Sequence, residues 1–361
     1  MENVTYLLGA GASCESLPTY ANFKARFNSF MQFFRGVFTN NTSIDAIERQ
    51  KIQTVITDFE SLESELSFHN TPDTIAKKYF HTGADTKLFS LKCSLTLFFH
   101  YEQNSNTPHT FLSEEPERDL IDKRYDAFIA SLLKPVKGKL ELLEHVNILS
   151  WNYDLQFELA YSRYSTDNLI HIQEVIQSFP RVFSQSRPLS KEKFSLIHLN
   201  GIAFPILGGN DLIIGSQRRR DKEYCLYLCG LHQQLKSTNQ SRQDNMSLIS
   251  FAWENLEHNY ELKENDIIEK AIESVEKTKI LIINGYSFPI FNRAIDLKIL
   301  QAMSSIKKVY IQNPNAKDLM PLLTDIFKQR ISADEIQDVG YYNQFFIPDW
   351  LMMTSPQYSV T

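Results

Sequence analysis

The sequence is poor in features that identify several large classes of protein. Its 361 residues contain four cysteines, too few and too scattered for a disulfide framework, which indicates a reducing compartment. No uninterrupted apolar run approaches the roughly twenty residues of a membrane span. No basic, apolar leader precedes the first predicted strand. We therefore expect a cytoplasmic protein that does not cross a membrane.

The chain also lacks an excess of positive charge. Its formal net charge is −6, which argues against a dominant nucleic-acid footprint and leaves open a local basic groove. The compact basic run at Arg218–Lys222 is better explained as a solvated loop. With 43% hydrophobic residues, a chain of this length can bury the core of one large domain or two modest ones.

The cysteines do not have the spacing of a zinc site. Cys225, Cys229 and His232 can share one face of a helix, but a fourth ligand at a fitting spacing is missing. Buried apolar thiols are the favoured interpretation. We expect no zinc and no other metal.

The first apolar run, Val4–Leu8, leads directly into a glycine turn made of Gly9, Ala10, Gly11, Ala12 and Ser13. Glycines permit positive φ and leave no Cβ between the main chain and a phosphate, and a following helix directs its positive end to the same place. Two common fingerprints are absent: the third glycine of Gly-x-Gly-x-x-Gly falls on Cys14, and no Gly-Lys-Ser or Gly-Lys-Thr follows. The turn predicts a nucleotide site of another geometry, with packing of small residues as the alternative.

Short aliphatic runs alternate with longer helical patterns along the chain. From about Tyr20 to Leu133 the apolar residues recur every three to four positions, which predicts a large helical insertion. Strands that end in turns are predicted within Val4–Ser13, Val146–Asp154, Phe194–Gly201, Lys279–Pro289 and Lys307–Asn315. Alternation of strand and helix in the last third implies parallel pairing. We predict an α/β fold, a Rossmann-like parallel sheet with helices on both faces, a helical insertion at about 20–135 and a second insertion at about 203–262.

Polar residues follow these strands where a parallel sheet binds its ligands, outside the carboxyl ends of the strands. They would supply amide, carboxylate, imidazole and glycine backbone groups to one crevice. The candidates are Asn152, Asp154, His198, Gly285, Ser287 and Asn313. Simpler alternatives stay open, since Asn152 and Asp154 can be helix caps, His198 a core histidine and Gly285 a turn.

The ordered set of motifs resembles the sirtuin family over most of the chain, from Leu7 to about Asn315. Gly9–Ser13 is similar to its Gly-Ala-Gly-x-Ser phosphate turn, and Asn152–Asp154 to its Asn-x-Asp. His198 and Gly201 approximate its His-Gly, and Gly285–Ser287 is similar to its Gly-Thr-Ser. Asn313 is similar to the asparagine that holds the adenosine ribose at a strand end.

Departures from the sirtuin pattern narrow the expected activity. The two Cys-x-x-Cys pairs of the zinc module are absent, and Trp151 stands where a glutamine precedes the catalytic asparagine. No arginine follows the glycine turn in register, and Lys24 is a weak substitute. The chain looks more like the bacterial sirtuin-like NADases of antiphage defence, which implies hydrolysis of NAD⁺ to ADP-ribose and nicotinamide. A protein deacylase, or a nucleotide-binding or nuclease subunit without this chemistry, are the alternatives.

The resemblance also implies a role for each site residue, with NAD⁺ as substrate. Asn152 would hold the attacking water or a ribose hydroxyl, and His198 would act as general base near neutral pH. Asp154 would hold the nicotinamide carboxamide. The pyrophosphate would lie between the glycine turn, Gly9–Ser13, and a second turn with Gly285 and Ser287, while Asn313 would bind the adenosine ribose.

The resemblance implies a catalytic domain at residues 1–333, followed by a docking tail at 334–361. The tail is rich in aromatic and apolar residues, beyond what a free terminus needs, so we expect it to dock on its own domain or on a neighbouring subunit. A toxic NADase needs restraint until it is triggered. By resemblance to two-gene defence systems, we expect a homo-oligomer regulated by a hexameric HerA-type DNA-translocating ATPase.

Overall fold

The computed structural model describes residues 2–69, 71–104, 121–136, 139–181, 189–190, 193–203, 222–237, 249–251, 253–254, 267–340 and 343–352. The chain divides into two compact units. The sheet unit comprises Met1–Ala12, Ile121–Leu199 and Ala252–Thr361, and the helical unit comprises Ser13–Leu120 and Asn200–Phe251. Residues 218–221 of the basic run and most of the predicted second insertion lie outside the described residues. Residues 341–342 and 353–361 of the tail also lie outside them.

The strands confirm the predicted fold class. In chain order they are β1 (Val4–Leu8), β2 (Leu133–Val136), β3 (Lys139–Leu142), β4 (Val146–Ser150), β5 (Ser178–Phe179), β6 (Ser195–His198), β7 (Ile280–Asn284), β8 (Lys308–Gln312) and β9 (Ile336–Asp338). Seven of them form a parallel sheet in the order β5-β6-β4-β1-β7-β8-β9, and β2 pairs with β3 in a separate antiparallel pair. All five residues of β1 and all five of β7 are buried, as expected for central parallel strands covered on both faces.

The described residues also form α-helices. In chain order they are α1 (Phe23–Asn40), α2 (Ala46–Phe68), α3 (Pro72–His81), α4 (Asp85–Asn104), α5 (Lys123–Leu132), α6 (Gln156–Tyr161), α7 (Leu169–Val175), α8 (Lys222–Ser237), α9 (Ile267–Val275), α10 (Arg293–Ala302), α11 (Ala316–Phe327) and α12 (Asp349–Met352). Among the described residues, no helix is both long enough and apolar enough to cross a membrane.

The helical unit contains α1 to α4 together with α8. Its core is a cluster of phenylalanine rings; Phe30 lies with its ring centroid 5.1 Å from that of Phe59 and 5.6 Å from that of Phe98. Local signals set its helix starts: at α2, the Asp45 carboxylate accepts from the Glu48 amide and the Glu48 carboxylate accepts from the Asp45 amide. Because α8 packs against α2 and α4, the described part of the second insertion joins the first.

The boundary of the first insertion differs from the predicted one near residue 135. The division falls at Leu120 because α5 packs on the sheet, with Tyr125, Phe128 and Leu132 in the same buried cluster as Val4 of β1. The sequence correctly predicts a helix at α5, but the apolar face of this helix packs in the sheet unit. A pattern of period 3.6 shows which face of a helix is buried and not which core buries it.

Five strands of the sheet end in one row. Leu8 of β1 is in register with Ser150 of β4 and with Asn284 of β7. Ser150 is in turn opposite His198 of β6, and Asn284 is opposite Gln312 of β8. In the sheet, β4, β6 and β5 lie on one side of β1, and the strands that come later in the chain, β7, β8 and β9, lie on the other side. The sheet therefore has its topological switch point at β1, where open α/β sheets bind ligands.

The described part of the tail packs on the sheet unit. The Phe345 ring lies 4.7 Å from that of Phe128 and nearly parallel to it. The Tyr6 hydroxyl donates to the Phe346 carbonyl at 3.2 Å, and the Phe346 amide donates to the Gln312 side chain at 2.9 Å. Of the two docking places expected for the tail, residues 343–352 occupy the one on their own domain.

We predict that Phe345→Ala lowers the free energy of unfolding by about 3 to 5 kcal/mol, because it leaves a cavity in a packed aromatic cluster. Urea unfolding of the full chain measures this change. The matched control is Phe68→Ala, since the Phe68 side chain is 81% exposed and its removal should change stability by no more than about 0.5 kcal/mol. Equal stability of both variants would contradict the docking of the tail.

Candidate functional site

The turns after the strands lie side by side at the carboxyl edge of the sheet. The Gly9 amide donates to the Asn284 carbonyl at 3.0 Å, and the Trp151 amide donates to the Leu8 carbonyl at 2.9 Å. The Leu199 amide donates to the Ser150 carbonyl at 2.8 Å. These bonds extend the sheet by one row beyond the last strand residues. The predicted turns of β1, β4, β6 and β7 are therefore brought together.

Three glycines allow two of these turns to meet backbone to backbone. A Cβ on Gly9 would lie 2.6 Å from the Gly285 carbonyl oxygen, and one on Gly11 would lie 2.7 Å from the Gly285 Cα. Gly285 has a φ of +64°, and a Cβ there would lie 2.5 Å from the Ala12 nitrogen. No other residue fits these positions without moving the main chain. The structure gives the three glycines a packing role, and their contact with a pyrophosphate stays a prediction.

The amides of the glycine turn are engaged within the fold. Besides Gly9, the Gly11 amide donates to the Gly285 carbonyl at 3.1 Å and the Ala12 amide to the Gly9 carbonyl at 2.8 Å. A phosphate bound by these amides would have to replace these bonds. Ala10, in contrast, is exposed, as is Ser287 in the turn after β7.

Ser13 is the last residue of a short 3₁₀ helix, Ala10–Ser13, that forms most of the glycine turn. It is buried and belongs to the helical unit, where its carbonyl oxygen accepts from the Leu17 amide at 2.8 Å. Ser13 is thus the first residue of the helical unit, and its contact with a pyrophosphate stays a prediction.

An arginine that sequence analysis missed anchors the glycine turn. Arg124 of α5 donates to the carbonyl oxygens of Gly11 and Ala12, both at 3.1 Å. Asp122 accepts from the Arg124 Nε at 2.9 Å and from its terminal nitrogen at 2.5 Å, and both side chains are buried. Because the guanidinium is paired, it fixes the turn and does not present an uncompensated charge. No local pattern in the sequence connects residues 122–124 with the turn.

Asn152 and Asp154 organise the turn between β4 and α6. The Asn152 side-chain Nδ2 donates to the Gly9 carbonyl at 3.0 Å, so Asn152 links this turn to the glycine turn. The Asp154 carboxylate accepts from the Gln156 amide at 3.0 Å, at the start of α6. The helix-cap alternative therefore describes one contact of Asp154. Both side chains are more than nine-tenths buried, at 8% and 6% exposure.

His198 is paired with an acidic residue that the sequence did not single out. Its Nε2 lies 3.0 Å from Oε1 of Glu158 on α6, and the same oxygen accepts from the Ser178 hydroxyl at 3.0 Å. Glu158 is fully buried and His198 is 2% exposed. A lone glutamate between Phe157 and Leu159 was the available signal, because a charge inside an apolar helical stretch needs a partner.

The pairing changes what His198 can do. Burial is the largest single effect and would lower the pKa of His198, but the Glu158 carboxylate, Asp154 and the Asn152 carbonyl together outweigh it. The pKa of His198 is therefore raised above 6.5. His198 thus lies in a buried pair with Glu158, in which the imidazole holds its proton more tightly than an unpaired histidine does, and its role as a general base stays a prediction.

Asn313 lies on the other side of the glycine contact, after β8. Its Nδ2 donates to the Tyr286 carbonyl at 3.0 Å, and its side-chain oxygen accepts from the Asn315 amide at 2.8 Å. Asn313 thus ties the end of β8 to the turn after β7. Its contact with a ribose stays a prediction.

The cysteine and histidine residues considered for a metal lie on α8 in the helical unit. Cys225, Cys229 and His232 are buried, and the His232 Nε2 lies 3.1 Å from the Asp58 carboxylate. Over the part of the chain that the structure describes, no group of three or more His, Cys, Asp or Glu side chains is placed to hold a metal ion.

We predict that Gly285→Ala lowers the free energy of unfolding by about 3 kcal/mol, because the left-handed backbone is strained for alanine and the Cβ overlaps the glycine turn. Gly36→Ala is the matched control. Gly36 lies inside α1, where an added Cβ meets nothing within 4 Å, so alanine should stabilise by about 0.5 to 1 kcal/mol. Thermal unfolding of both variants tests the pair, and a neutral Gly285→Ala would refute the close contact.

Comparisons of the chain with protein-family models, with curated proteins and with solved structures found no match. We therefore infer the function from the geometry and the chemistry of the site.

Proposed function

We propose that the protein hydrolyses NAD⁺ to ADP-ribose and nicotinamide. The observation that supports this most is the row of strand ends at the switch point of the sheet, which brings the glycine turn, Asn152, His198 and the Gly285 turn to one edge. The order of these groups along the sheet matches the order in which a dinucleotide presents its pyrophosphate and its ribose. An antiphage role is part of the proposal through the sirtuin-like motifs.

The proposed reaction needs few catalytic groups. The bond between nicotinamide and ribose breaks through an oxocarbenium-like state, its electron pair goes to the nicotinamide nitrogen, and nicotinamide leaves as a neutral molecule. A water then bonds to the ribose C1′ and loses a proton. The protein has to position the sugar and the water and accept that proton.

In this proposal the His198–Glu158 pair accepts the proton. Glu158 occupies the Nε2 side of the ring, so the proton would go to the other ring nitrogen, Nδ1, which is buried. A carboxylate at one ring nitrogen orients the imidazole and stabilises its charged form, as in the histidine–aspartate pairs of hydrolases. Only the neutral form of His198 is a base, so the raised pKa predicts activity on the alkaline side of pH 6.5.

The remaining residues would bind NAD⁺. Asn152 would hold the water or a ribose hydroxyl, and Asp154 the nicotinamide carboxamide. Because the amides of Gly9, Gly11 and Ala12 are engaged, the exposed Ala10 and Ser287 are the first positions of the two turns that a pyrophosphate would meet. Asn313 would face the adenosine ribose.

A second candidate is a nucleotide-binding module without turnover. Two observations favour it. The side-chain nitrogen of Asn152 is already hydrogen-bonded to the Gly9 carbonyl, and the pKa of His198 is raised. Both groups would then hold the fold and leave the ligand intact. This candidate predicts NAD⁺ binding and no nicotinamide release.

Regulation belongs to the same proposal. An enzyme that consumes NAD⁺ needs restraint, and we propose that a homo-oligomer and a HerA-type hexameric ATPase provide it. The protein should then change its turnover when the ATPase is added. Nicotinamide release with and without the ATPase measures this, and mass photometry gives the oligomer number.

We predict that Asn152→Ala and His198→Ala each lower nicotinamide release from NAD⁺ by a factor of about 100 or more, because each removes a positioning or proton-accepting group. Chromatography of the released nicotinamide is the measurement. His171→Ala is the matched control, since the His171 side chain is 55% exposed, and it should keep wild-type activity.

Three other outcomes would point elsewhere. NAD⁺ binding without turnover under every condition would support the binding module. NAD⁺ consumption only in the presence of an acylated peptide would support a deacylase. Wild-type turnover in His198→Ala would remove the proposed base.

We predict that Glu158→Gln moves the acidic limb of the activity profile to lower pH by about one unit, because the raised pKa of His198 depends on the Glu158 carboxylate. Initial rates measured from pH 5 to pH 9 (about the range in which a histidine titrates) test this. Glu174→Gln is the control, because Glu174 lies 3.6 Å from the exposed His171 and should leave the profile unchanged. If the acidic limb of the pH–activity profile stays in place in Glu158→Gln, Glu158 does not set the pKa that limits activity.

A further inference from the structure

Two aromatic rings from the strands on either side of β1 stack on each other beyond its carboxyl end. Trp151 follows β4 and Tyr286 follows β7, and these strands pair with β1 on opposite sides. The two rings are stacked, with centroids 5.6 Å apart and planes inclined by 10°. We call this pair the aromatic bridge. Gly9 lies against it, because a Cβ on Gly9 would be 2.6 Å from the Tyr286 Cα.

A buried carboxyl holds the bridge at one end. The Tyr286 hydroxyl lies 3.1 Å and 3.0 Å from the two carboxyl oxygens of Asp296, in the first turn of α10. Asp296 is 2% exposed and Tyr286 is 4% exposed. The Phe288 ring packs beside the Tyr286 ring, with the two centroids 4.7 Å apart.

The bridge touches both halves of the proposed site. Trp151 directly precedes Asn152 in the chain, and the Tyr286 carbonyl accepts from the Asn313 side chain at 3.0 Å. Packing alone does not require a polar group here, since a phenylalanine at position 286 would keep the stack. A buried carboxyl is costly unless it is hydrogen-bonded, so the hydroxyl–carboxyl contact fixes the rotation of the Tyr286 ring.

We infer that Asp296 is a positioning residue of the proposed NAD⁺ site, which holds the aromatic bridge through the Tyr286 hydroxyl and so fixes Asn152 and Asn313 relative to the glycine turn. The inference rests on the proposed function for the identity of the ligand. The bridge itself is tested without any ligand.

Asp296 also makes the bridge sensitive to pH. Burial raises the pKa of Asp296 to about 8, against the opposing effects of the Tyr286 hydroxyl, the Arg293 charge and the Trp151 side chain. Arg293 is the charged group that acts on the carboxyl, and it lies on the same helix and donates to the Phe288 carbonyl at 3.0 Å. A pKa of about 8 predicts that the carboxyl is mostly protonated at neutral pH and gains a buried charge as the pH rises through 8.

The experiment combines fluorescence with calorimetry. The emission of Trp151 is taken as the difference between the wild-type chain and Trp151→Phe, from pH 6 to pH 10 (about two units on each side of the transition). We expect a transition with its midpoint near pH 8 that is absent in Asp296→Asn, which keeps an oxygen acceptor and cannot ionise. Asp318→Asn, the same change at an exposed residue of α11, should leave the transition in place.

The effect of Asp296 on NAD⁺ affinity is measured by calorimetric titration with NAD⁺ at pH 7, about one unit below the transition. Asp296→Leu and Tyr286→Phe should each weaken NAD⁺ binding about tenfold, because one leaves a buried hydroxyl without its acceptor and the other leaves the carboxyl without its donor. Asp296→Asn should bind NAD⁺ as the wild type does at pH 7 and, unlike the wild type, equally well at pH 9.

The two measurements separate failure of the inference from failure of the proposed function. A transition that persists in Asp296→Asn, or NAD⁺ affinity unchanged in both Asp296→Leu and Tyr286→Phe, would overturn the positioning role. A chain that binds no NAD⁺ but shows the Asp296-dependent transition would overturn the proposed ligand and confirm the contact of Asp296 with the bridge.

Discussion

The close contact between the turns after β1 and β7 is the constraint on which the site depends. Gly9, Gly11 and Gly285 have no side chains, so the two main chains approach to hydrogen-bonding distance at the switch point of the sheet. Several groups of the site are placed directly against this contact. Asn152 bonds to the Gly9 carbonyl, Arg124 bonds to the carbonyls of Gly11 and Ala12, and the aromatic bridge lies against Gly9.

Buried polar pairs make this arrangement rigid. His198 with Glu158 and Tyr286 with Asp296 each join two elements of the sheet unit. Arg124 is paired with Asp122, the N-cap of its own helix, and joins α5 to the glycine turn through its bonds to the Gly11 and Ala12 carbonyls. Loss of one partner removes a hydrogen bond from a buried polar group of the other, and a buried donor or acceptor left unsatisfied costs about 1 to 3 kcal/mol. Such pairs fix side chains before a ligand arrives, and preorganised groups of this kind favour binding and catalysis over a flexible edge.

The residues singled out from the sequence have structural contacts as well as their proposed roles. Asn152 and Asn313 join neighbouring turns, and His198 fills the interior with its partner. This double use is expected at the carboxyl edge of a parallel sheet, where the turns must satisfy their own backbone groups and also face a ligand. The proposed NADase and the binding module differ in whether Asn152 and His198 can serve both purposes.

The sequence by itself determined the class of fold, the strands β1, β4, β6, β7 and β8, and their polar ends, because aliphatic runs and turn residues are local signals. It did not show β5, β9 or the β2–β3 pair, since none of these short strands contains an aliphatic run like those of the predicted strands. Only the tertiary structure decided that the two insertions form one unit and that α5 belongs to the sheet. It also decided the partners of His198, Arg124 and Tyr286, because such pairs form between elements distant in sequence or through side-chain directions that a linear pattern does not contain.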